Sequence, residues 1–148
     1  MRALLQRVHS ASVMVGTEVV SQIASGWLIL LGIATNDTEL QARLLSNKIK
    51  ELRAFSDQQG KMNLSLVETG GEVLLVSQFT LYADCRKGRR PSFNKAAPPD
   101  LALRLYEHLG SNLRQAGITT KLGSFGEEMQ VKMLGHGPVT IMLDTDEM

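Results

Sequence analysis

The chain has 148 residues, of which 43% are hydrophobic and 21% are charged, and its net charge at pH 7 is +1. A chain of this length and composition is expected to fold as one globular domain over residues 1–148. No apolar run approaches the roughly 18 residues that a membrane span needs, and no secretory signal is evident, so we expect a cytoplasmic protein without membrane contact. The single cysteine, Cys85, excludes an internal disulfide and any cysteine-rich zinc site.

The first third of the chain predicts three strands and a helix. Residues 4–15 and 18–23 flank Gly16-Thr17 and predict a hairpin, and residues 27–31 predict a buried strand. An amphipathic helix is predicted over residues 38–54, with Asn36-Asp37 as its cap and Glu39 completing a capping box. Its inward face is formed by apolar residues at helical spacing, namely Leu40, Leu44, Leu45, Ile49 and Leu52.

The remaining segments complete an α+β pattern. Residues 64–68 and 72–81 flank Thr69-Gly70-Gly71 and predict a second hairpin. A second helix is predicted from Pro98-Pro99-Asp100 to Gly117, with an inward face of Ala102, Leu105, Leu109, Leu113 and Ala116. Further strands are predicted at 118–122, 128–134 and 138–143, and the acidic tail from Asp144 is expected to fray. We therefore expect an α+β fold with two main helices and a mainly antiparallel sheet curled toward a barrel.

Polar residues crowd the end of one apolar strand. The run Val73-Leu74-Leu75-Val76 continues directly into Ser77, Gln78, Phe79 and Thr80. Buried polar side chains are costly unless they are paired, so this stretch is either a set of structural hydrogen bonds or a site. We interpret it as a site, in which backbone N–H groups near Gln78-Phe79 could stabilise a ligand oxygen as an oxyanion hole does.

Two side chains are candidate nucleophiles. Thr80 needs a base, and neither His9, His108 nor His136 lies at a spacing that pairs it with the threonine. Cys85 adjoins the positive charges of Arg86 and Lys87, which favour its thiolate, but no second catalytic partner is visible for it.

One loop carries a local positive charge. Its basic residues are Arg86, Lys87, Arg89, Arg90 and Lys95, and no acidic residue lies among them. The remaining 11 basic and 15 acidic residues leave the rest of the chain at −4. With Phe93 as an aromatic member, this basic loop (residues 86–95) suits phosphate contacts with base stacking, or it is a solvated charged loop.

The segment Gly135-His136-Gly137-Pro138 is predicted as a hairpin turn.

Together these stretches resemble the D-aminoacyl-tRNA deacylases, from Met1 to about Leu143. The two signature motifs of that family appear as Ser77-Gln78-Phe79-Thr80 and Gly137-Pro138-Val139-Thr140. Each supporting match is weak alone, but their order in a chain of this length is a strong signal. The supporting matches are Gln6-Arg7-Val8, Gly60-Lys61-Met62-Asn63, Arg90-Pro91-Ser92-Phe93 and the segment from Phe125 to Val131.

The resemblance implies an enzyme that hydrolyses the ester between a D-amino acid and the terminal ribose of tRNA, as a chiral proofreading step in translation. Glycyl-tRNA mischarged on the alanine tRNA is also an implied substrate, because glycine is achiral. We expect no cofactor and no metal. The resemblance implies a homodimer in which a cis Gly137-Pro138 bond enters the partner's active site, where the Gly-Pro carbonyls hold the substrate amino group and leave no room for an L side chain.

The resemblance also assigns residues to roles. Ser77, Gln78, Phe79 and Thr80 would line the catalytic pocket, and Arg7 would steady the Gly-Pro loop. The other substrate-binding residues would be Gly137, Pro138, Val139, Thr140, Phe125 and Met129, and the tRNA contacts would come from Arg86, Lys87, Arg89, Arg90 and Lys95. The chemistry belongs either to Thr80 as nucleophile or to the tRNA 2′-hydroxyl with the Phe79 region as oxyanion hole. We favour the second, because a vicinal hydroxyl is already positioned at high effective concentration.

One feature departs from the family pattern. Gly135 and His136 stand where an Asn and an acidic residue usually precede the Gly-Pro-Val-Thr motif, which predicts a looser turn and an added charge at low pH. Two other functions are compatible with the residues alone. One is a non-catalytic RNA-binding module that uses the basic loop, and the other is a thiol hydrolase built on Cys85.

Overall fold

The computed structural model describes residues 1–148 and contains eight strands, three α-helices and two 3₁₀ helices. The strands are β1 (Arg2–Val15), β2 (Glu18–Ile23), β3 (Gly26–Gly32), β4 (Phe55–Ser56), β5 (Met62–Leu64), β6 (Glu72–Ser77), β7 (Thr120–Leu122) and β8 (Gln130–Asp144). The helices are α1 (Glu39–Glu51), α2 (Leu66–Thr69) and α3 (Pro99–Gln115), and the 3₁₀ helices are Phe79–Tyr82 and Thr145–Glu147. None of the helices has the length and apolar character of a membrane span.

The long strand β1 is the centre of a six-stranded sheet. It pairs antiparallel with β2, β3 and β8, whereas β3–β6 and β6–β7 are parallel pairs. The sheet curls until it is nearly closed into a barrel. The predicted α+β fold, with a curled and mainly antiparallel sheet and two main helices, is confirmed. The predicted hairpin of β1 and β2 is also present, with Gly16 in its turn at φ 58°.

The predicted second hairpin is wrong. Instead of a strand, the segment before Gly70 forms the short helix α2, in which Glu68 accepts a 2.7 Å hydrogen bond from the Ser65 N–H and Ser65 accepts one from the Glu68 N–H. Gly70 ends that helix at φ 65°, a left-handed conformation that glycine adopts without steric cost. The next strand, β6, then pairs parallel to β3 across a long connection that contains α1.

The start of α1 also differs from the prediction. Its cap is Thr38, which accepts from the Leu40 N–H at 3.2 Å, while Gln41 accepts from the Thr38 N–H at 3.0 Å. Asp37 is buried instead and accepts from the N-terminal ammonium at 2.9 Å. The predicted cap at Asn36-Asp37 is therefore wrong, because Asp37 is used in the core.

The face of α1 that is buried differs in part from the predicted one. Ala42, Leu45 and Ile49 are buried, whereas Leu40 and Leu44 are exposed by 48% and 42%. In α3 the predicted Leu105, Leu109 and Leu113 are buried, Ala102 is half-buried, and Ala116 is exposed, contrary to the prediction. These two helices pack against the sheet over a core cluster of 20 buried residues that includes Trp27 and Leu75.

The C-terminal segment corrects two further predictions. Gly135-His136-Gly137-Pro138 is not a hairpin turn, because β8 continues through it along β1 from Gln130 to Asp144. The tail does not fray: Asp144 accepts from the Arg2 guanidinium at 2.7 Å, and Thr145 accepts from the N-terminal ammonium at 2.6 Å. Both ends of the chain are thus tied to each other.

Candidate active site

The 3₁₀ helix Phe79–Tyr82 begins where β6 leaves the sheet. The Gln78 N–H donates to the Leu31 carbonyl at 2.7 Å, and Gln78 has φ −145° and ψ 80°. The first N–H groups of a helix have no acceptor within that helix, and the Gln78 side chain does not cap this one. The N–H groups of Phe79 and Thr80 are therefore free donors for a ligand oxygen.

The Thr80 hydroxyl is not activated by a base. It accepts a short hydrogen bond from the Gln78 side-chain amide, and neither a histidine nor a carboxylate bonds to it. An amide N–H donor cannot take a proton from the hydroxyl, so Thr80 lacks the partner that a nucleophilic threonine needs.

A cleft of about 640 Å³ opens beside this 3₁₀ helix. Strand β6, the basic loop, α3 and the segment before β8 each contribute to its walls, which are largely apolar. Five of the predicted site residues line it, namely Ser77, Gln78, Phe79, Phe125 and Met129. Thr80, the last residue of the motif that begins at Ser77, is not part of the lining. A largely apolar cleft with a few polar groups in its wall is the usual form of a small-molecule site.

Among the cleft residues that were not assigned a substrate-binding role from the sequence, Phe93 and Glu127 stand out by their chemistry. Phe93 lines the cleft and meets the Phe79 ring edge to face, with the ring centroids 5.0 Å apart. Glu127 is the one carboxylate in the lining. Phe93 could have been found as the single aromatic residue of the basic loop, whereas nothing in the sequence distinguishes Glu127 from the adjacent Glu128.

The far end of the 3₁₀ helix is anchored to the chain termini. Arg2 donates to the Leu81 carbonyl at 3.1 Å, and its guanidinium lies 4.7 Å from the centroid of the Tyr82 ring. Burial raises the pKa of the Tyr82 hydroxyl well above its usual range. The ionic contact between Arg2 and Asp144 thus holds the helix that carries Phe79 and Thr80.

The second motif lies outside this cleft. None of Gly137, Pro138, Val139 and Thr140 lines it, and Gly137 and Pro138 are exposed. The Gly137-Pro138 bond is cis. In the pairing of β1 with β8, Gln6 is opposite Thr140 and Val8 is opposite Gly135, so residues 136–139 bulge out opposite Arg7 alone.

Arg7 is buried beneath this bulge. It donates to the His136 carbonyl at 3.2 Å and to the Ala54 carbonyl at 2.7 Å, and only 6% of its surface is exposed. Arg7 thus bridges the bulge to the residue before β4, and its role in steadying the Gly-Pro loop stays a prediction. At the base of the bulge, the Thr140 hydroxyl forms a short hydrogen bond to the Gln6 side chain.

The basic loop divides into one paired cation and several unpaired ones. Arg86 binds Asp84 through two hydrogen bonds of 2.8 and 2.5 Å, and this contact holds the pKa of the Asp84 carboxyl well below its usual range. Lys87, Arg89, Arg90 and Lys95 are exposed and form no ion pair. Arg86 is therefore a poor choice for a phosphate contact, because Asp84 already occupies its guanidinium.

The candidate thiol is separate from the cleft. Cys85 is exposed in the segment between Asp84 and Arg86, and it is absent from the cleft lining. No histidine forms a hydrogen bond with Cys85, so its thiol has no base beside it. Because Cys85 lies outside the cleft, its thiolate would not contact a substrate that is bound there.

The chain is similar over nearly its full length to proteins of one family. Residues 4–144 match the family model described as D-Tyr-tRNA(Tyr) deacylase. A D-aminoacyl-tRNA deacylase of Roseiflexus sp. (strain RS-1) is 54% identical over 145 residues, covering 98% of this chain and 94% of that protein. One of Thermus aquaticus is 53% identical over 147 residues, covering 99% and 97%. The solved structure of a c-Myc DNA unwinding element binding protein has a TM-score of 0.92 at 40% identity and covers 98% of this chain and 99% of its own. The chain belongs to the D-Tyr-tRNA(Tyr) deacylase family of hydrolases.

Proposed function

We propose that this protein hydrolyses the ester bond of D-aminoacyl-tRNA in the cytoplasm, releasing the D-amino acid and intact tRNA as a proofreading step. The observation that carries this proposal is the apolar cleft lined by Gln78 and Phe79, beside a 3₁₀ helix whose Phe79 and Thr80 N–H groups have no acceptor in the protein. Such a cleft can hold an aminoacyl group, while the two donors stabilise the oxyanion that forms at its carbonyl.

Selection of the D isomer is proposed to come from a second copy of the chain. The bulge at residues 136–139 is exposed and lies outside its own cleft, so it is free to enter that of a partner. Carbonyls of Gly137 and Pro138 would hold the substrate amino group and exclude an L side chain. Glycyl-tRNA mischarged on the alanine tRNA would also be accepted, because glycine has no side chain to exclude.

The edge of β8 supports the homodimer. This 15-residue strand pairs only with β1, so its other edge carries unpaired backbone groups. Several large apolar side chains on it are exposed, namely Val131, Met133, Leu134 and Met142. A long and apolar edge strand is a template for pairing with another chain.

In the proposed reaction, a hydroxyl group of the substrate itself transfers the proton. Water attacks the ester carbonyl carbon, and the 2′-hydroxyl of the terminal ribose relays the proton of that water to the leaving 3′-oxygen. The carbon–oxygen bond to water forms while the bond to the 3′-oxygen breaks, and the negative charge on the carbonyl oxygen is held by the Phe79 and Thr80 N–H groups. No ionised side chain is needed, which fits a threonine without a base.

The function is tested by incubating the purified protein with D-tyrosyl-tRNA and with L-tyrosyl-tRNA. We expect release of D-tyrosine and little release of L-tyrosine. Equal release from both substrates, or release from neither, would contradict the proposal. Binding of tRNA without cleavage would favour the RNA-binding module instead.

Replacement of Thr80 by alanine separates the two mechanisms. We expect the rate constant of the hydrolysis step to fall by less than about 10-fold, since general base and nucleophile roles are each worth at least about 100-fold when lost. The measurement is single-turnover hydrolysis of D-tyrosyl-tRNA by Thr80→Ala and wild type. A loss of several orders of magnitude would assign the attack to the Thr80 hydroxyl.

The unpaired cations of the basic loop are expected to bind the tRNA backbone. Each change of Lys87, Arg89 or Arg90 to alanine should reduce the slope of log Kd against log salt by about 0.7 to 0.9. Arg86→Ala should change that slope less, because Asp84 already engages the Arg86 side chain. Slopes equal to that of the wild type in all four variants would remove the basic loop from the tRNA interface.

A further inference from the structure

Two imidazoles stack directly beside the Gly-Pro bulge. The ring centroids of His9 on β1 and His136 on β8 lie 4.0 Å apart, and the ring planes differ by 20°. His136 is the residue immediately before Gly137. Both histidines lie where the pairing of the two strands is interrupted, since neither has a partner in the β1–β8 register.

The His136 backbone and ring are held from two sides. Its carbonyl accepts from the Arg7 guanidinium at 3.2 Å, while its ring lies against that of His9. The Nδ1 atom of His136 is buried and has no hydrogen-bond partner. The stack, rather than a hydrogen bond of the ring, therefore orients this side chain.

The charged surroundings of the pair are cationic. The titratable groups that act on His136 are Arg7 and His9, both on β1, and no carboxylate forms an ion pair with either histidine. Burial, then the Arg7 charge and His9, lower the pKa of His136. The ring is thus uncharged at neutral pH, and a proton on it meets two basic neighbours.

Resting on the proposed function, we propose that the stacked pair of His9 and His136 positions Gly137 and Pro138 for the partner's cleft, and that protonation of both rings separates the pair and displaces the bulge. Two imidazolium rings at stacking distance repel each other, and no acidic group in contact offsets that repulsion. Arg7 fixes the His136 carbonyl, and the stack on His9 restrains the His136 ring. His9 and His136 are therefore positioning residues and do not touch the reacting atoms.

The direction of the pH effect follows from linkage. As the pH falls below about 6.5, an unfolded or displaced segment takes up a proton on His136 before the stacked form does. The stacked form is accordingly favoured at and above neutral pH, and it loses stability as the pH falls through the lowered pKa. Deacylation should decline over the same interval.

A titration of the histidine ring signals by NMR tests the pair without any substrate. The chain has three histidines, and His108 on α3 serves as the internal reference. We expect His9→Gln to move the His136 midpoint upward, because the substitution removes a basic neighbour, while the His108 signals are the same in both proteins. An unchanged His136 midpoint in His9→Gln would overturn the proposal, whatever the enzymatic activity.

Activity measured between about pH 5 and 8 provides the second arm. Each profile of D-tyrosyl-tRNA hydrolysis is normalised to its own value at neutral pH. His9→Phe keeps an aromatic ring but removes one titrating group, so its acid limb should be shallower than that of wild type. His9→Ala, which loses the stack, should lower kcat/KM at neutral pH by about 2- to 10-fold.

The control for this arm is His108→Gln, whose profile should superimpose on that of wild type. An acid limb that is the same in wild type, His9→Phe and His136→Asn would show that the pair does not control the bulge. If the wild type hydrolyses no D-tyrosyl-tRNA at any pH, the proposed function is wrong, and the NMR titration alone then decides whether the rings are coupled.

Discussion

Replacement of Gly137 by alanine is expected to reduce kcat/KM for D-tyrosyl-tRNA by at least about 100-fold, the loss typical of a misplaced positioning group. A Cβ atom at this residue would lie 2.9 Å from Val139 Cγ2 and 3.0 Å from the Val139 nitrogen. Gly137 also has φ 125°, a conformation that side chains rarely adopt. The bulge must therefore move, and with it the carbonyls proposed to hold the substrate amino group.

Gly135 provides a matched control for this variant. A Cβ atom there meets no atom within 4 Å, and Gly135 is not among the glycines with positive φ. Gly135→Ala should thus keep most of the wild-type activity. Circular dichroism and thermal unfolding should show that both variants fold, because the bulge is exposed. Equal activity of the two variants would remove Gly137 from the site.

Replacement of Arg7 by alanine should cost both stability and activity. The variant leaves the Ala54 carbonyl and the His136 carbonyl without their donor. An unsatisfied buried acceptor costs about 1 to 3 kcal/mol, so urea unfolding should report a loss of at least this size. The bulge would also lose its anchor, and deacylation should fall by about 100-fold or more.

Two variants make the Arg7 result specific. Arg7→Lys keeps the positive charge but cannot donate to both carbonyls from a planar fork, so activity should stay low. Arg104 is 64% exposed and forms a surface pair with Glu39 at 3.5 Å, so Arg104→Ala should change the unfolding free energy by less than about 1 kcal/mol. If Arg7→Ala behaved as Arg104→Ala does, the anchoring role of Arg7 would be wrong.

The fold class could be predicted from the sequence, but the parallel strand pairs could not. A short apolar run such as Val73–Val76 has the same appearance in either direction, because burial on both faces removes the alternation that marks an antiparallel strand. The available signal was the long helical segment between β3 and β6, since parallel strands need a crossover connection. The Ser65-x-x-Glu68 pattern was likewise a capping signature for α2. The segment was predicted as a strand instead, because the apolar Val67 and the following Gly70-Gly71 also fit a strand that ends in a turn.

The two halves of the site could be predicted as motifs, and the family resemblance already implied that the second half acts in the cleft of a partner chain. Ser77 to Phe79 line the cleft as expected, whereas Gly137 and Pro138 lie outside it. The contacts of Arg86 and His136 could not be predicted from the sequence either. Asp84 precedes the basic loop by two residues, and the stacking of His9 on His136 depends on a strand register with two interruptions.

Mixing two inactive variants tests directly whether the site is shared between copies of the chain. Met129→Trp would fill the cleft of one protomer, and Gly137→Ala would disable the bulge of the other. Each homodimer should be inactive on D-tyrosyl-tRNA. After unfolding and joint refolding, about half of the dimers are mixed, and each holds one intact cleft facing one intact bulge. The mixture should then recover about a quarter of the wild-type activity. Failure to recover any activity, with mixed dimers shown to be present by mass, would contradict a site built from two chains.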